Sequence, residues 1–252
     1  GQVCMANLRY FLQWTKAACE KVFFLESFHR SRGGIWAFIF NLAGEGPVLF
    51  RYFIKPLLMN HNFCIILAGG IGQRLWPTSR REMPKQFLDF FGTGRTLLQQ
   101  TFDRFARIIP LEHILISTFV DYVNTVKEQL PDLPEENILA EPVQLSTAPA
   151  AAWAACHIAG LDADANVVAT PVDHLIMGED RFIEQIRLGL EFVATHSQFL
   201  AIGVKPTAPN TAYGYIQMGK PVNGGDHFMV KSFSEKPAPD YARLFVESGE
   251  FL

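Results

Sequence analysis

The sequence predicts an α/β protein on a doubly wound, mostly parallel sheet, and three observations carry that expectation. Short apolar runs alternate with helix-period patterns from Met59 to Gly203. The first of these runs leads directly into a glycine-rich turn, Gly69-Gly70-Ile71-Gly72. After Gly203 the rhythm changes to two strand-like runs separated by Asn223-Gly224-Gly225, which predicts a smaller mixed-sheet lid on the parallel core.

Each element has its own signal. Phe63–Leu67 is continuously apolar, as expected of a parallel strand covered on both faces. Thr96–Ile109 places Leu98, Phe102, Phe105 and Ile109 on one helical face. Ile114–Ser117 reads as a second strand and Asp121–Leu130 as a second helix, with Asp121 as its cap. Ile138–Ala140 is a short strand. Thr147–Ile158 follows as a helix, with Thr147 at the N-cap and Pro149 tolerated in the first turn. Asn166–Thr170 is a strand ending in the turn Pro171-Val172-Asp173-His174, Phe182–Phe192 is helical, and Phe199–Gly203 returns to strand. In the lid, Tyr213–Met218 and His227–Phe233 are strands and Asp240–Val246 is a short helix.

Composition narrows the function classes. A chain of 252 residues, 49% hydrophobic and 19% charged, has enough apolar surface for one large core. The net charge of −3, with no clustered Lys/Arg stripe, argues against a nucleic-acid partner. The longest apolar run in the N-terminal part, Ile35–Phe40, is far shorter than the ~20 residues a spanning helix needs, and no signal-peptide order is present. No membrane partner is expected. Four cysteines (Cys4, Cys19, Cys64, Cys156) lack C-x-x-C spacing, and Cys64 and Cys156 read as buried thiols. This usage fits a reducing, cytoplasmic setting without disulfides or a structural metal.

The chemistry concentrates in Leu67-Ala68-Gly69-Gly70-Ile71-Gly72-Gln73-Arg74-Leu75-Trp76-Pro77, followed by Pro84-Lys85-Gln86-Phe87. A strand running into glycines exposes backbone N–H groups that can approach phosphate oxygens, because no Cβ intervenes. Arg74 and Lys85 add two cations to the same loop. Spacing excludes two other glycine loops. A dinucleotide fingerprint needs a third glycine where Leu75 stands, and no G-x-x-x-x-G-K-[ST] run exists.

The string from Gly69 to Arg80 with Pro84–Phe87 closely resembles the signature of the mannose-1-phosphate guanylyltransferases, the GDP-mannose pyrophosphorylases, within the sugar nucleotidyltransferases. Further matches follow in order: Glu141-Pro142 with Thr147-Ala148-Pro149, Pro171–His174, Tyr213-Gly214-Tyr215-Ile216, and Phe233-Ser234-Glu235-Lys236-Pro237. The resemblance covers about Asn62 to Leu252. It implies a Rossmann-like nucleotidyltransferase fold of the glycosyltransferase-A type, with a sugar-binding lid. The implied reaction transfers GMP from GTP to mannose 1-phosphate with Mg²⁺, giving GDP-mannose and pyrophosphate. Leu67, Ala68, Gly69, Gly70 and Gly72 would line the nucleotide, and Arg74 and Lys85 would bind it and act in catalysis. Asp173 would hold the metal, while Gly214, Glu235 and Lys236 would bind the sugar phosphate. GTP and mannose 1-phosphate are the implied partners, and a homo-oligomer is compatible with the sequence.

The chain also departs from the resemblance. Leu145-Ser146 stands where the family usually carries Arg-Asn, which bears on base selectivity, and Ala212 stands where glycine is common. The chain stops at Phe251-Leu252, before the family's W-N-S-G-type segment, a second metal-binding aspartate and a C-terminal β-helix, so it is expected to be C-terminally truncated. The family normally begins a few residues before the first strand, where Met59 sits. The expected division is therefore an incomplete nucleotidyltransferase domain over 59–252, preceded by residues 1–58 as a non-native or read-through extension. Those first 58 residues carry seven Lys/Arg against three Asp/Glu and show no β-α rhythm. A functional extension is the alternative. For the activity, the alternatives are another sugar-1-phosphate nucleotidyltransferase or a non-catalytic nucleotide-binding fragment.

Overall fold

Strand alternation explains why helices cover both faces of the sheet. The computed structural model describes residues 2–6, 38–41, 60–72, 75–222 and 227–252. Along β3 (Asn62–Leu67), Phe63 and Ile65 face one side, and Cys64 and Ile66 face the other. On the Cys64 side pack α1 (Leu97–Ala106), α2 (Val123–Gln129) and α4 (Glu179–Val193), through Leu98, Phe102, Phe105, Val126, Ile183 and Ile186. On the Phe63 side packs α3 (Thr147–Leu161), through Ala154, Ala155 and Ile158. The helical face read from the sequence is the face that is buried: Leu98, Phe102, Phe105 and Ile109 all lie in the core. Phe105→Ala removes a fully enclosed ring and is expected to cost about 3–5 kcal/mol, measured as a lowered urea midpoint with unchanged slope.

The remaining strands are β1 (Gln2–Ala6), β2 (Phe38–Asn41), β4 (Ile114–Phe119), β5 (Ile138–Glu141), β6 (Asn166–Pro171), β7 (Phe199–Gly203), β8 (Gly214–Pro221) and β9 (His227–Glu235). They form one sheet in the order β5-β4-β3-β6-β2-β7-β1-β9-β8. The first four are mutually parallel, with Leu67 opposite Ser117 and Pro171, and Phe119 opposite Glu141. Those four strands bring their carboxyl ends to one edge, where open α/β sheets bind ligands. β2 runs antiparallel between β6 and β7, and β1 joins β7 to β9, so the first 58 residues contribute two strands. The β8–β9 pair expected as a lid is antiparallel and forms the far edge of this same sheet. Its connecting turn at 223–225 lies outside the described residues.

Three local expectations are corrected. Asp121 does not cap α2: it sits inside a 3-10 turn, Val120–Tyr122, and Tyr122 takes the cap position without a side-chain bond. Thr147 is the first residue of α3, and the cap falls to Ser146, whose side chain makes no capping bond. Cys64 is fully buried, whereas Cys156 is only partly so. Two elements carry strong terminal signals. α1 begins with a reciprocal capping box: the Gln99 N–H donates to Thr96 Oγ1 (3.2 Å) and the Thr96 N–H donates to Gln99 Oε1 (3.0 Å). α5 (Pro239–Ser248) starts on Pro239 and ends against Gly249 at φ 69°.

Candidate functional site

Every carbonyl from Ala68 to Ile71 is held by a side chain of the protein. Gln86 Nε2 donates to the carbonyls of Ala68 (2.7 Å) and Gly70 (2.9 Å). Thr118 Oγ1 also donates to Ala68 (3.2 Å), Gln144 Nε2 to Gly69 (2.8 Å) and Ser79 Oγ to Ile71 (3.0 Å). The N–H groups of Gly69, Gly70, Ile71 and Gly72 donate to no described residue. A loop whose carbonyls are held by side chains and whose N–H groups meet no described acceptor is a ready anion cradle. Leu67 and Ala68 support this loop rather than extend it. Leu67 pairs with strands on both sides, the Ala68 N–H donates to the Ser117 carbonyl (2.7 Å), and the Ala68 side chain is buried.

Gly72 couples the loop to the lysine turn. Its φ of +67° belongs to the left-handed region, and a Cβ there would lie 2.5 Å from Ser79 Oγ and 3.2 Å from Lys85 Cγ. Ser79 is 1% exposed, and its hydroxyl accepts the Lys85 N–H at 2.9 Å while donating to the loop. Lys85–Phe87 is a single 3-10 turn, with Phe87 in the core beside Tyr122. Gln129 Nε2 donates to the Phe87 carbonyl (3.0 Å), and Thr96 Oγ1 donates to Gln129 Oε1 (2.7 Å), tying the turn to α1 and α2. Lys85 is thus fixed from both sides.

The lysine ammonium is bonded to Asp173 Oδ2, across a sequence separation of 88 residues. Two residues expected in different roles therefore form one ion pair, with the lysine side chain 13% and the aspartate side chain 31% exposed. Burial alone would raise the Asp173 carboxyl, but the charge and hydrogen bond of Lys85 outweigh it and hold the group below the usual carboxylate range. Beside it, burial pushes the His174 imidazole down against the opposing pull of Asp173, which favours the neutral form. Asp173 presents a hard oxygen ligand suited to Mg²⁺ completed by water and phosphate oxygens. Among the described residues, no group of three or more His, Cys, Asp or Glu side chains could hold a metal by itself. A magnesium ion shared between Asp173 and a bound phosphate fits this donor set.

Glu141 joins the site without having been singled out as a functional residue. Its carboxylate ends β5, accepts from Ser117 Oγ (2.8 Å), and lies 3.2 Å from where a Cβ on Gly69 would sit. Burial raises its pKa, partly opposed by the Ser117 bond. The next loop carries Ser146 at φ 79° and ψ −178°, backbone that essentially only glycine adopts without cost. It is held there between Gln144, bound to Gly69, and the first turn of α3.

The expected sugar-phosphate residues form a second cluster. Gly214 lies opposite Glu235 in the β8–β9 ladder. Lys236, at φ 45°, pairs with Glu235 at 3.0 Å and donates its N–H to the Tyr213 carbonyl at 3.1 Å. Among the described residues, no hydrogen bond or ion pair links this cluster to Lys85 and Asp173. Arg74, expected beside Lys85, lies outside the described residues.

Comparison with known proteins bears on the family and the fold. Residues 63–252 match the family model described as nucleotidyl transferase. The chain is 40% identical over 191 residues to a mannose-1-phosphate guanylyltransferase of Salmonella muenchen, covering 74% of this chain and 40% of that protein. An Escherichia coli mannose-1-phosphate guanylyltransferase is 37% identical over 191 residues, again covering 40% of the relative. A Thermus thermophilus crystal structure described as mannose-1-phosphate geranyltransferase superposes with a TM-score of 0.66 at 28% identity, covering 76% of this chain and 55% of that one. The chain spans about 40% of the length of the curated relatives it matches. With three quarters of its residues inside the family match, the chain belongs to the nucleotidyl transferase family.

Proposed function

We propose that this chain carries the nucleotide site of a mannose-1-phosphate guanylyltransferase, which moves GMP from GTP onto mannose 1-phosphate. The observation that supports it most is the loop whose four carbonyls are held by side chains while its N–H groups donate to no described residue, next to the turn that carries Lys85. An oxygen of the sugar phosphate attacks the α-phosphorus of GTP in line. A new P–O bond forms as the bond to the bridging oxygen breaks, and pyrophosphate leaves with the electron pair. The protein need only position the reactants and neutralise charge. The N–H groups of Gly69, Gly70, Ile71 and Gly72 hold phosphate oxygens, and Lys85 and Arg74 offset the charge growing on pyrophosphate. Asp173 would hold Mg²⁺, which when bound would neutralise phosphate charge. A phosphate that paired with Lys85 would leave Asp173 Oδ2 free to serve as that ligand. Gly214, Glu235 and Lys236 bind the sugar phosphate.

Glu141 supports the choice of base. Its Oε2 has no partner among the described residues, and a carboxylate there matches the N1–H and N2–H₂ donors of guanine, an edge adenine lacks. Glu141→Gln is expected to reduce the preference for GTP over ATP about 10- to 100-fold, read from the two dissociation constants. Unchanged preference would exclude Glu141 from base selection.

The site is assigned to residues 59–252, with residues 1–58 read as an extension outside the family match that adds β1 and β2 to the sheet. Among the described residues no helix is long and apolar enough to cross a membrane. Cysteine usage without paired spacing supports a reducing, cytoplasmic setting. A second reading, a nucleotide-binding module without turnover, is favoured by the lack, among the described residues, of any hydrogen bond or ion pair between the sugar-phosphate cluster and Lys85 or Asp173. Pyrophosphate release from GTP, ATP, UTP and dTTP with mannose 1-phosphate and Mg²⁺ tests both. GTP-dependent release supports the transferase. Preference for a pyrimidine nucleotide overturns it, and GTP binding without release gives the module.

A further inference from the structure

We infer that Gln86 is a positioning residue that aims the phosphate-facing N–H groups of the glycine loop, acting through the loop carbonyls rather than by touching the ligand. The inference rests on the nucleotide site proposed above. Gln86 is 0% exposed, so a direct ligand contact is closed to it. Its two Nε2 hydrogens match two carbonyl acceptors, on Ala68 and Gly70, which fixes the orientation of the amide. The cost of that orientation is visible on the other atom: Gln86 Oε1 is buried with no hydrogen-bond partner. Turning the amide over would set that oxygen against two carbonyl oxygens. A leucine or methionine would fill the position next to Phe87 without any such cost, so the residue is not explained by packing.

Peptide planarity converts the clamp into function. In a trans peptide, the carbonyl of one residue and the N–H of the next point in opposite directions. Holding the Ala68 and Gly70 carbonyls toward Gln86 therefore turns the N–H groups of Gly69 and Ile71 away from it, where they meet no acceptor among the described residues. The two peptides are not equally dependent. Thr118 also holds the Ala68 carbonyl, whereas Gln86 is the one described side chain on the Gly70 carbonyl. Glycine at position 70 leaves the backbone conformationally free, so without Gln86 the Gly70–Ile71 peptide loses the one described side chain that fixes its carbonyl.

The test is Gln86→Met in the full chain, titrated with GTP and Mg²⁺, alongside thermal unfolding and amide NMR during titration with inorganic tripolyphosphate. Wild type is expected to show the Gly69 and Ile71 amides moving on addition of tripolyphosphate. In Gln86→Met the Ile71 response should be lost and that of Gly69 kept, with GTP affinity down about 10- to 100-fold and both amide spectra otherwise native. Equal loss at both amides together with a general loss of dispersion marks a merely structural role and overturns the inference. Unchanged GTP affinity overturns it as well. Should the variant fail to fold, the wild-type titration still decides, since an Ile71 amide that does not respond contradicts the clamp. If wild type binds GTP but the Ile71 amide is silent, this inference alone falls. Failure of wild type to bind any triphosphate removes the nucleotide site with it.

Discussion

Lys85→Ala is expected to weaken binding of GTP with Mg²⁺ and, where turnover is present, to lower its rate about 10²- to 10³-fold, by analogy with the loss of one preorganised donor. The lysine is held rather than free to wander. Ser79 accepts its N–H, the buried Phe87 anchors the turn, and its ammonium is already bonded to Asp173. A charge fixed in a partly dry crevice costs little reorganisation when phosphate arrives, which is why a single truncation has a large effect. The same change releases Asp173 Oδ2, so Mn²⁺ used as a probe should bind the nucleotide-free variant more tightly than wild type. Calorimetry of both ligands on both proteins checks the pair of effects. Equal GTP affinity in the two proteins would remove Lys85 from the site, and unchanged Mn²⁺ affinity would remove Asp173 as its competitor.

Gly72→Ala is the second large effect, and it acts first on stability. An L-residue at φ +67° costs about 1–2 kcal/mol, and forcing a Cβ to within 2.5 Å of Ser79 Oγ adds an overpacking penalty of about 1–3 kcal/mol. Relief is available only by moving Ser79, which would break its bonds to Ile71 and to the Lys85 N–H. The expected result is a loss of about 2–5 kcal/mol by urea unfolding, with weaker GTP binding in the protein that remains folded. Loss of stability below about 1 kcal/mol with intact binding would show that neither the left-handed backbone nor the close approach matters there.

How much of this was legible in the sequence depends on the range of the interaction. Local periodicity is enough for Phe63–Leu67, for the buried face Leu98-Phe102-Phe105, and for the strands around 114, 138, 166 and 199. Caps are less legible because a one-residue shift of the helix start reassigns them, as at Asp121 and Thr147. The apolar run Ile35–Phe40, weighed only against a bilayer, overlaps β2 and enters the centre of the sheet. Glycines and cations of the site announce themselves by type and spacing. What makes the loop work does not: Gln86, Thr118 and Gln144 reach Ala68, Gly69 and Gly70 across 16 to 75 residues of sequence. Lys85 meets Asp173 across a separation of 88. No window along the chain contains both partners, and although Gln86 stands within the Pro84–Phe87 motif, nothing in that string shows which carbonyls its amide meets. Glu141 was visible as part of a resemblance, but only its place beside Gly69 gives it a chemical role.

Calorimetric titration of the full chain with GTP, ATP, UTP and dTTP, each with Mg²⁺, tests the glycine loop most directly. Selective binding of GTP, weakened in Lys85→Ala, is the predicted result. Binding of none of the four nucleotides, or GTP binding that ignores the loss of Lys85, would contradict the assignment of the glycine loop as a triphosphate site.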